Sequence, residues 1–244
     1  MIVLFTDYGT NDPYVGQMKA RLAESAPAQT VIDLLHAVPD FNPHAGAQLL
    51  AAFAPGFVPG TVFVAVVDPG VGTLRDAVVM LADGRWFVGP DNGLLSILAA
   101  RAAEVRYWRI TWRPDQLSMT FHGRDLFAII AGEIARGDFP HDKLAVADTL
   151  NVMFDAGDLP RVIYLDHFGN AWTGLRGEGL SRHARINVAN HSFRHSDSFG
   201  FVGRGEGFWF VNSVGLVELA VNRGSAAGTM GLKVGMPVEV VRLN

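Results

Sequence analysis

The sequence predicts an N-terminal α/β domain with a mostly parallel sheet, followed by a smaller C-terminal antiparallel β-barrel domain. Three observations carry this. Short apolar runs alternate with helix-period segments from Ile2 to Ala135, the pattern of a layered α/β structure. Beyond about Asp148 short strands and Gly/Asn/Ser turns take over, with no helix of three turns. Between the two, Asp155 to Pro160 has the composition of a linker, which sets the domains at 1–154 and 161–244.

Each element has its own reason. Ile2 to Thr6 is a continuous apolar strand, as expected for one buried on both faces. Tyr14 to Ala26 carries Val15, Met18 and Leu22 at helical spacing, with Pro27 as a stop. Thr30 to Leu35 is a second strand, and His44 to Phe53 a helix rich in alanine and leucine. Thr61 to Val67 is the central strand. Ala77 to Leu81 and Trp86 to Gly89 flank an Asp83-Gly84 turn and predict a hairpin. Leu94 to Arg101 predicts a helix, Val105 to Ile110 a strand and Leu126 to Ala135 a helix. In the second domain strands are expected at Val162 to Leu165, Ala184 to Val188, Gly207 to Asn212, Leu216 to Ala220 and Pro237 to Leu243.

Composition narrows the function. Hydrophobic residues make up 49% of the 244, enough for a real core. A net charge of −4 argues against a nucleic-acid or anionic-membrane surface. Without cysteine there are no disulfides and no thiolate nucleophile, which suits a reducing compartment. The start, Met1 to Asp7, lacks a basic n-region and is a first strand rather than a signal peptide. No apolar run approaches the roughly 18 residues that span a bilayer. The expected location is the cytoplasm.

The central strand ends in Asp68-Pro69-Gly70-Val71-Gly72-Thr73-Leu74-Arg75. An acid and a guanidinium at the two ends of one tight loop can face the same point, outside the carboxyl ends of the strands. The same residues also fit a glycine-rich turn with a surface ion pair. No Gly-Lys-Ser/Thr follows, so the loop is not a phosphate cradle. Asp7 fits both a turn acid and a carboxylate that accepts from a ribose diol. His122 sits just before a helix and fits a helix-start or packing residue; with Asp68 and Arg75 it also fits a set of acid, base and guanidinium that polarises a water, since no serine or cysteine occupies a nucleophile elbow. His191, His195 and Asp197 lie close in sequence, but the segment is not helical by pattern and no metal site is expected. Asp166 to Trp172 gathers an acid, an amide and two aromatics; with Phe199-Gly200 and Asn212 to Gly215 it can offer an amino acid or nucleobase an aromatic face, amides and an acid.

Seven motifs in order give the chain a resemblance. They are Phe5 to Gly9 with Tyr14 to Lys19; His36 to Pro39; Val67 to Thr73; Gly89 to Gly93; Thr120 to Asp125; Asp166 to Asn170; and Asn212 to Gly215 through Glu218 to Ala226. Together they resemble the S-adenosyl-L-methionine hydroxide adenosyltransferases, or S-adenosyl-L-methionine hydrolases, relatives of the fluorinase and chlorinase enzymes. The resemblance implies a homotrimer, with each active site between the α/β domain of one subunit and the β domain of the next. It implies that Asp7 holds the ribose hydroxyls and that Phe41 is a wall beside sugar and sulfonium. Asp166 would meet the methionine ammonium and Ser213 its carboxylate, while Asn170 and Phe199 would take the adenine. Asp68, Arg75 and His122 match the family's water-activating triad. The substrate is a small molecule, S-adenosyl-L-methionine, and no cofactor or metal is implied.

The chain also departs from the pattern. Tyr8 stands where phenylalanine or leucine is usual, and Ile129 replaces a common proline. Val214 follows Ser213 where the halogenase has an arginine. The halogenase's insertion is absent, as are its tyrosine at the Asp68 position and its serine at the Gly123 position. The implied chemistry is water attack at C5′, releasing adenosine and L-methionine. The sulfonium is already a good leaving group; free hydroxide at pH 7, by contrast, costs on the order of 12 kcal/mol. Two rival readings are a halogenase, which Asp68 disfavours by repelling an anion, and a non-catalytic S-adenosyl-L-methionine or adenosine binder, which has no use for the triad.

Overall fold

Apolar runs buried on both faces anchor the first half of the chain. β1 (Ile2–Thr6) is buried throughout, and α1 (Tyr14–Ser25) buries Met18 and Leu22 against it. β2 (Val31–Leu35) precedes α2 (Pro43–Phe53). That helix starts one residue before the expected His44, with Asn42 accepting the Ala45 N–H at 3.0 Å as its cap and Pro43 at the first position. β3 (Val62–Val66), β4 (Ala77–Ala82), β5 (Arg85–Pro90), α3 (Ser96–Arg101), β6 (Val105–Ile110), α4 (Ala128–Ala135) and β7 (Leu144–Ala147) follow. The computed structural model describes residues 1–242 and divides into two compact units, Met1–Ala156 and the chain from Gly157 on.

In the first unit the strand order is β2-β1-β3-β5-β4-β6-β7. β2, β1, β3 and β5 run parallel, but β4 pairs antiparallel with both β5 and β6, and β6 with β7. The expected mostly parallel sheet is therefore corrected to an evenly mixed one. The cause is local. Asp83 (φ 45°) and Gly84 (φ 77°) form a tight turn that reverses the chain and inserts β4 beside its own hairpin partner. The helix expected from Leu126 is preceded by a π-helical turn, Gly123–Phe127, and β7 is an edge strand that the sequence reading did not anticipate.

The second unit contains β8 (Leu159–Leu165), β9 (Ala171–Arg176), β10 (Arg185–Val188), β11 (His191–His195), β12 (Gly207–Val211), β13 (Leu216–Val221), α5 (Ala226–Met230) and β14 (Glu239–Val241). Leu159 and Pro160, read as linker, already belong to β8. Strand order is β14-β10-β11-β12-β13-β9-β8. The sheet curls into a half-barrel: Val162 N–H donates to Met236 O at 2.9 Å and Val238 N–H to Pro160 O at 2.9 Å, so β8 meets the segment that leads into β14. An all-antiparallel barrel was expected; β11 and β12 instead run parallel, because the chain between them passes through the Phe199–Phe201 turn rather than a hairpin. The last strand was expected to reach Leu243, which lies outside the described residues. Among the described residues no helix is long and apolar enough to cross a membrane.

Candidate active site

Three parallel strands of the first unit end on the same side of the sheet and deliver its acids. Asp7 follows β1, Asp40 and Phe41 follow β2, and Asp68 follows β3. With Tyr8 and His122 they line a cavity of about 480 Å³. This is the crevice in which open α/β sheets bind ligands. Four carboxylates line it, those of Asp7, Asp12, Asp40 and Asp68, and no lysine or arginine does.

Asp68 and Arg75, from the two ends of one loop, form one network with His122, which lies 47 residues beyond Arg75. Arg75 Nε donates to Asp68 Oδ1 at 2.9 Å and Nη2 to Asp68 Oδ2. The side chains are 4% and 10% exposed, so this is a buried fork, not a surface ion pair. Nη2 also donates to His122 Nδ1 at 3.1 Å, and Nη1 to Asp76 O at 3.2 Å. The guanidinium rests over the Phe127 ring, 5.4 Å from its centroid. A guanidinium can only donate, so His122 Nδ1 is unprotonated and Nε2 carries the hydrogen. Burial, and then the Arg75 charge, lower the His122 pKa from its ordinary value, against a smaller opposing pull from Asp68. The neutral ring is thus built in. Nε2 is buried and has no hydrogen-bond partner among the described residues.

Asp7 holds the backbone N–H of Phe41 at 3.2 Å. Burial raises its pKa, opposed by that hydrogen bond. Phe41 has φ 56°, a left-handed backbone that a bulky residue seldom adopts, and its ring is 76% exposed. Tyr8 was noted only as a departure from pattern, yet it shapes the site. Its ring packs on Tyr14 and Phe121. A Cβ added at Gly123 would lie 2.3 Å from its hydroxyl, so a side chain there requires Tyr8 or the loop to shift.

The second unit has a cavity of about 680 Å³, lined by Asp166, Asn170, Trp172, Phe199, Ser213 and Glu218 among others. Asp166 closes its own turn: Oδ1 accepts Asn170 N–H at 2.8 Å and Oδ2 accepts Asn170 Nδ2 at 3.1 Å. Phe199 presents its edge to Phe208 and Phe210, at 4.9 and 5.6 Å between centroids. Ser213 is exposed on the Asn212–Gly215 turn, which Asn212 Oδ1 braces by accepting Val214 N–H and Leu216 N–H at 3.2 and 3.0 Å. Asp7, Phe41, Asp68 and His122 thus line the first cavity, with Arg75 behind Asp68; Asp166, Asn170, Phe199 and Ser213 line the second. Sequence reasoning did not single out Glu218, which is 4% exposed in the middle of β13. Its signal was present: one acid inside the otherwise apolar run Leu216 to Val221.

The S-adenosyl-L-methionine hydroxide adenosyltransferase N-terminal domain matches residues 2–144, and the C-terminal domain of the same family matches residues 160–239. An (R)-S-adenosyl-L-methionine hydrolase from Thermus thermophilus is 37% identical, over 98% of this chain and 99% of the relative. A fluorinase from Actinopolyspora mzabensis is 28% identical over 99% of this chain and 97% of its own. The crystal structure of an uncharacterized conserved protein from Thermotoga maritima superposes with a TM-score of 0.88 at 33% identity, covering 99% of this chain and all of the other. The chain belongs to the S-adenosyl-L-methionine hydroxide adenosyltransferase family.

Proposed function

We infer that the protein hydrolyses S-adenosyl-L-methionine to adenosine and L-methionine. The observation that carries this is the buried Asp68–Arg75–His122 network at the edge of an acidic cavity. A water oxygen attacks C5′, the C5′–S bond breaks, and its electron pair returns to sulfur, leaving a neutral thioether. Water supplies the only other reactant, so the reaction as written needs no cofactor. The proton goes to Asp68. Each of its oxygens accepts one Arg75 N–H and keeps a second lone pair, whereas His122 already spends Nδ1 on Arg75. His122 Nδ1 fixes the Arg75 guanidinium, and Arg75 holds the Asp68 carboxylate toward the water.

Asp7 accepts from the ribose hydroxyls and Phe41 walls the sulfonium. Asp166 meets the ammonium, Ser213 the carboxylate, and Asn170 and Phe199 the adenine. These roles follow from the family resemblance and from the two linings. The family resemblance implies a homotrimer in which one subunit's first unit and the next subunit's second unit share each substrate, and the sugar and methionine groups falling in different units is in line with it. The reading places it in the cytoplasm, in line with a chain free of cysteine. Halide transfer is disfavoured because Asp68 repels an anion and Tyr8 crowds any side chain at position 123. The test is incubation with S-adenosyl-L-methionine, with and without halide, and chromatography of the products. Adenosine and L-methionine in equal amounts are expected; 5′-halo-adenosine, or an intact substrate, overturns the reading.

A further inference from the structure

Asp91, Asp125 and Glu218 are each 4% exposed as whole residues, and they are satisfied differently. Asp91 accepts two backbone N–H groups, from Asn151 and Val152. Asp125 is paired with Arg124. Glu218 has no cationic partner among the described residues: Asn212 Nδ2 donates to Oε2 at 3.2 Å, and the Asn170 amide lies near enough to lower its pKa slightly. Those amides come from two different turns. Asn170 ends the turn that begins at Asp166, and Asn212 begins the turn that carries Ser213. From the middle of β13, Glu218 is bonded to the second turn through Asn212, lies beside Asn170 of the first, and lines the second cavity itself.

We propose that Glu218 is a second acid of this cavity, holding the two turns in one arrangement and giving up its own proton to solvent when a ligand ammonium docks beside it and Asp166. The proposal rests on the reading that Asp166 meets the methionine ammonium. The strands on either side place Trp172 and Phe210 opposite Glu218, neither of them titratable. The Asn212–Gly215 turn brings no ionisable side chain. The charged groups around the cavity are Asp166 and, from the segment after β13, Arg223. Burial is the main cause that pushes the Glu218 pKa up to about 7; the Asn212 hydrogen bond lowers it, the Asp166 charge raises it, and Asn170 lowers it. A cation arriving beside two close carboxyls favours the doubly ionised pair. The balance is simple: the carboxylic acid and the ligand ammonium become a carboxylate–ammonium contact plus one proton in solution.

The experiment is calorimetry of L-methionine and of adenosine binding to wild type and Glu218→Gln, between pH 6 and 8, in buffers of different ionisation enthalpy. Wild type is expected to release a proton fraction on binding methionine near pH 7, and its affinity to rise with pH by up to about tenfold per unit. Adenosine, which has no ammonium, should show neither effect. Glu218→Gln should bind methionine without proton release and with a flat pH profile. Methionine binding to wild type without proton release overturns the role of Glu218 and leaves the assignment of Asp166 standing. So does an unchanged linkage in Glu218→Gln. Adenosine binding with no methionine binding at any pH overturns both. The wild-type proton count needs no variant, so a poorly folded Glu218→Gln still leaves a decisive measurement.

Discussion

Asp7 and Phe41 hold each other in place: the carboxylate accepts the Phe41 N–H at 3.2 Å, and the Phe41 backbone sits at φ 56°. A left-handed conformation costs a bulky residue roughly 1–2 kcal/mol, so this contact pins an unfavourable loop over the cavity. Replacing Asp7 by alanine removes both the pin and the acceptor for the sugar. Hydrogen bonds to a charged group contribute about 1.5–3 kcal/mol, so the dissociation constant for adenosine, read by calorimetry, should rise by roughly 10–100-fold. Phe41→Gly should leave thermal stability unchanged or raise it while increasing KM, because glycine is at ease at that φ but offers no wall.

The triad predicts a different signature. Asp68→Asn, Arg75→Ala and His122→Ala should each lower kcat by about 10²–10⁴ with little change in substrate binding, measured by single turnover beside calorimetry. Because Arg75 bonds both other members, double variants should lose little beyond the worse single one. Arg75→Ala should also lower stability, by about 3–5 kcal/mol, since it leaves Asp68 buried without its partner. Losses of rate and binding in equal proportion would refute the assignment.

The neutral His122 ring sets an acid limit. Protonation would place an imidazolium against Arg75 and remove the Nδ1 acceptor. With its folded pKa below the ordinary 6.5, kcat/KM should fall on the acid side with a midpoint under that value. Stability follows the same sign: the contribution is complete above the unfolded pKa, and is lost as pH falls from there through the lower folded value. Thermal unfolding of His122→Gln should show a smaller loss between pH 6.5 and 5 than wild type.

Tyr8 and Gly123 should be coupled. Gly123→Ala drives a methyl to 2.3 Å from the Tyr8 hydroxyl, and overpacking of this kind costs about 1–3 kcal/mol. In a Tyr8→Phe background the same change should cost clearly less. A double-mutant cycle on unfolding free energies measures the difference; additive effects would show that the loop moves aside.

Sharing of sites between subunits has a direct test. Asp68→Ala and Asp166→Ala proteins, each inactive alone, should regain part of the activity when mixed under conditions of subunit exchange. Full activity from a demonstrated monomer would rule the arrangement out.

Much of this was legible in the residues. β1 and β3 were readable because strands buried on both faces are continuous apolar runs. The Asp68-to-Arg75 loop was readable because its acid, base and glycines are adjacent in sequence. The mixed sheet was not, although its hairpin was: which neighbour a strand pairs with is decided by packing across the sheet, not by its own pattern. β7 escaped because Leu144–Ala147 is short and half exposed at an edge. The π-helical turn after His122 carries no period of its own to read. Glu218 is legible only as the one acid inside the apolar run Leu216 to Val221, and its burial in the structure gives that acid its weight.

The acidic lining of the first cavity has a kinetic consequence. Four carboxylates face the cavity, and the Arg75 guanidinium behind them is turned to Asp68. A sulfonium is therefore drawn in, faster at low ionic strength than at high. Hydrolysis then erases the positive charge on sulfur. The attraction that captured the reactant does not act on the thioether, and departure is not slowed by the field that hastened arrival.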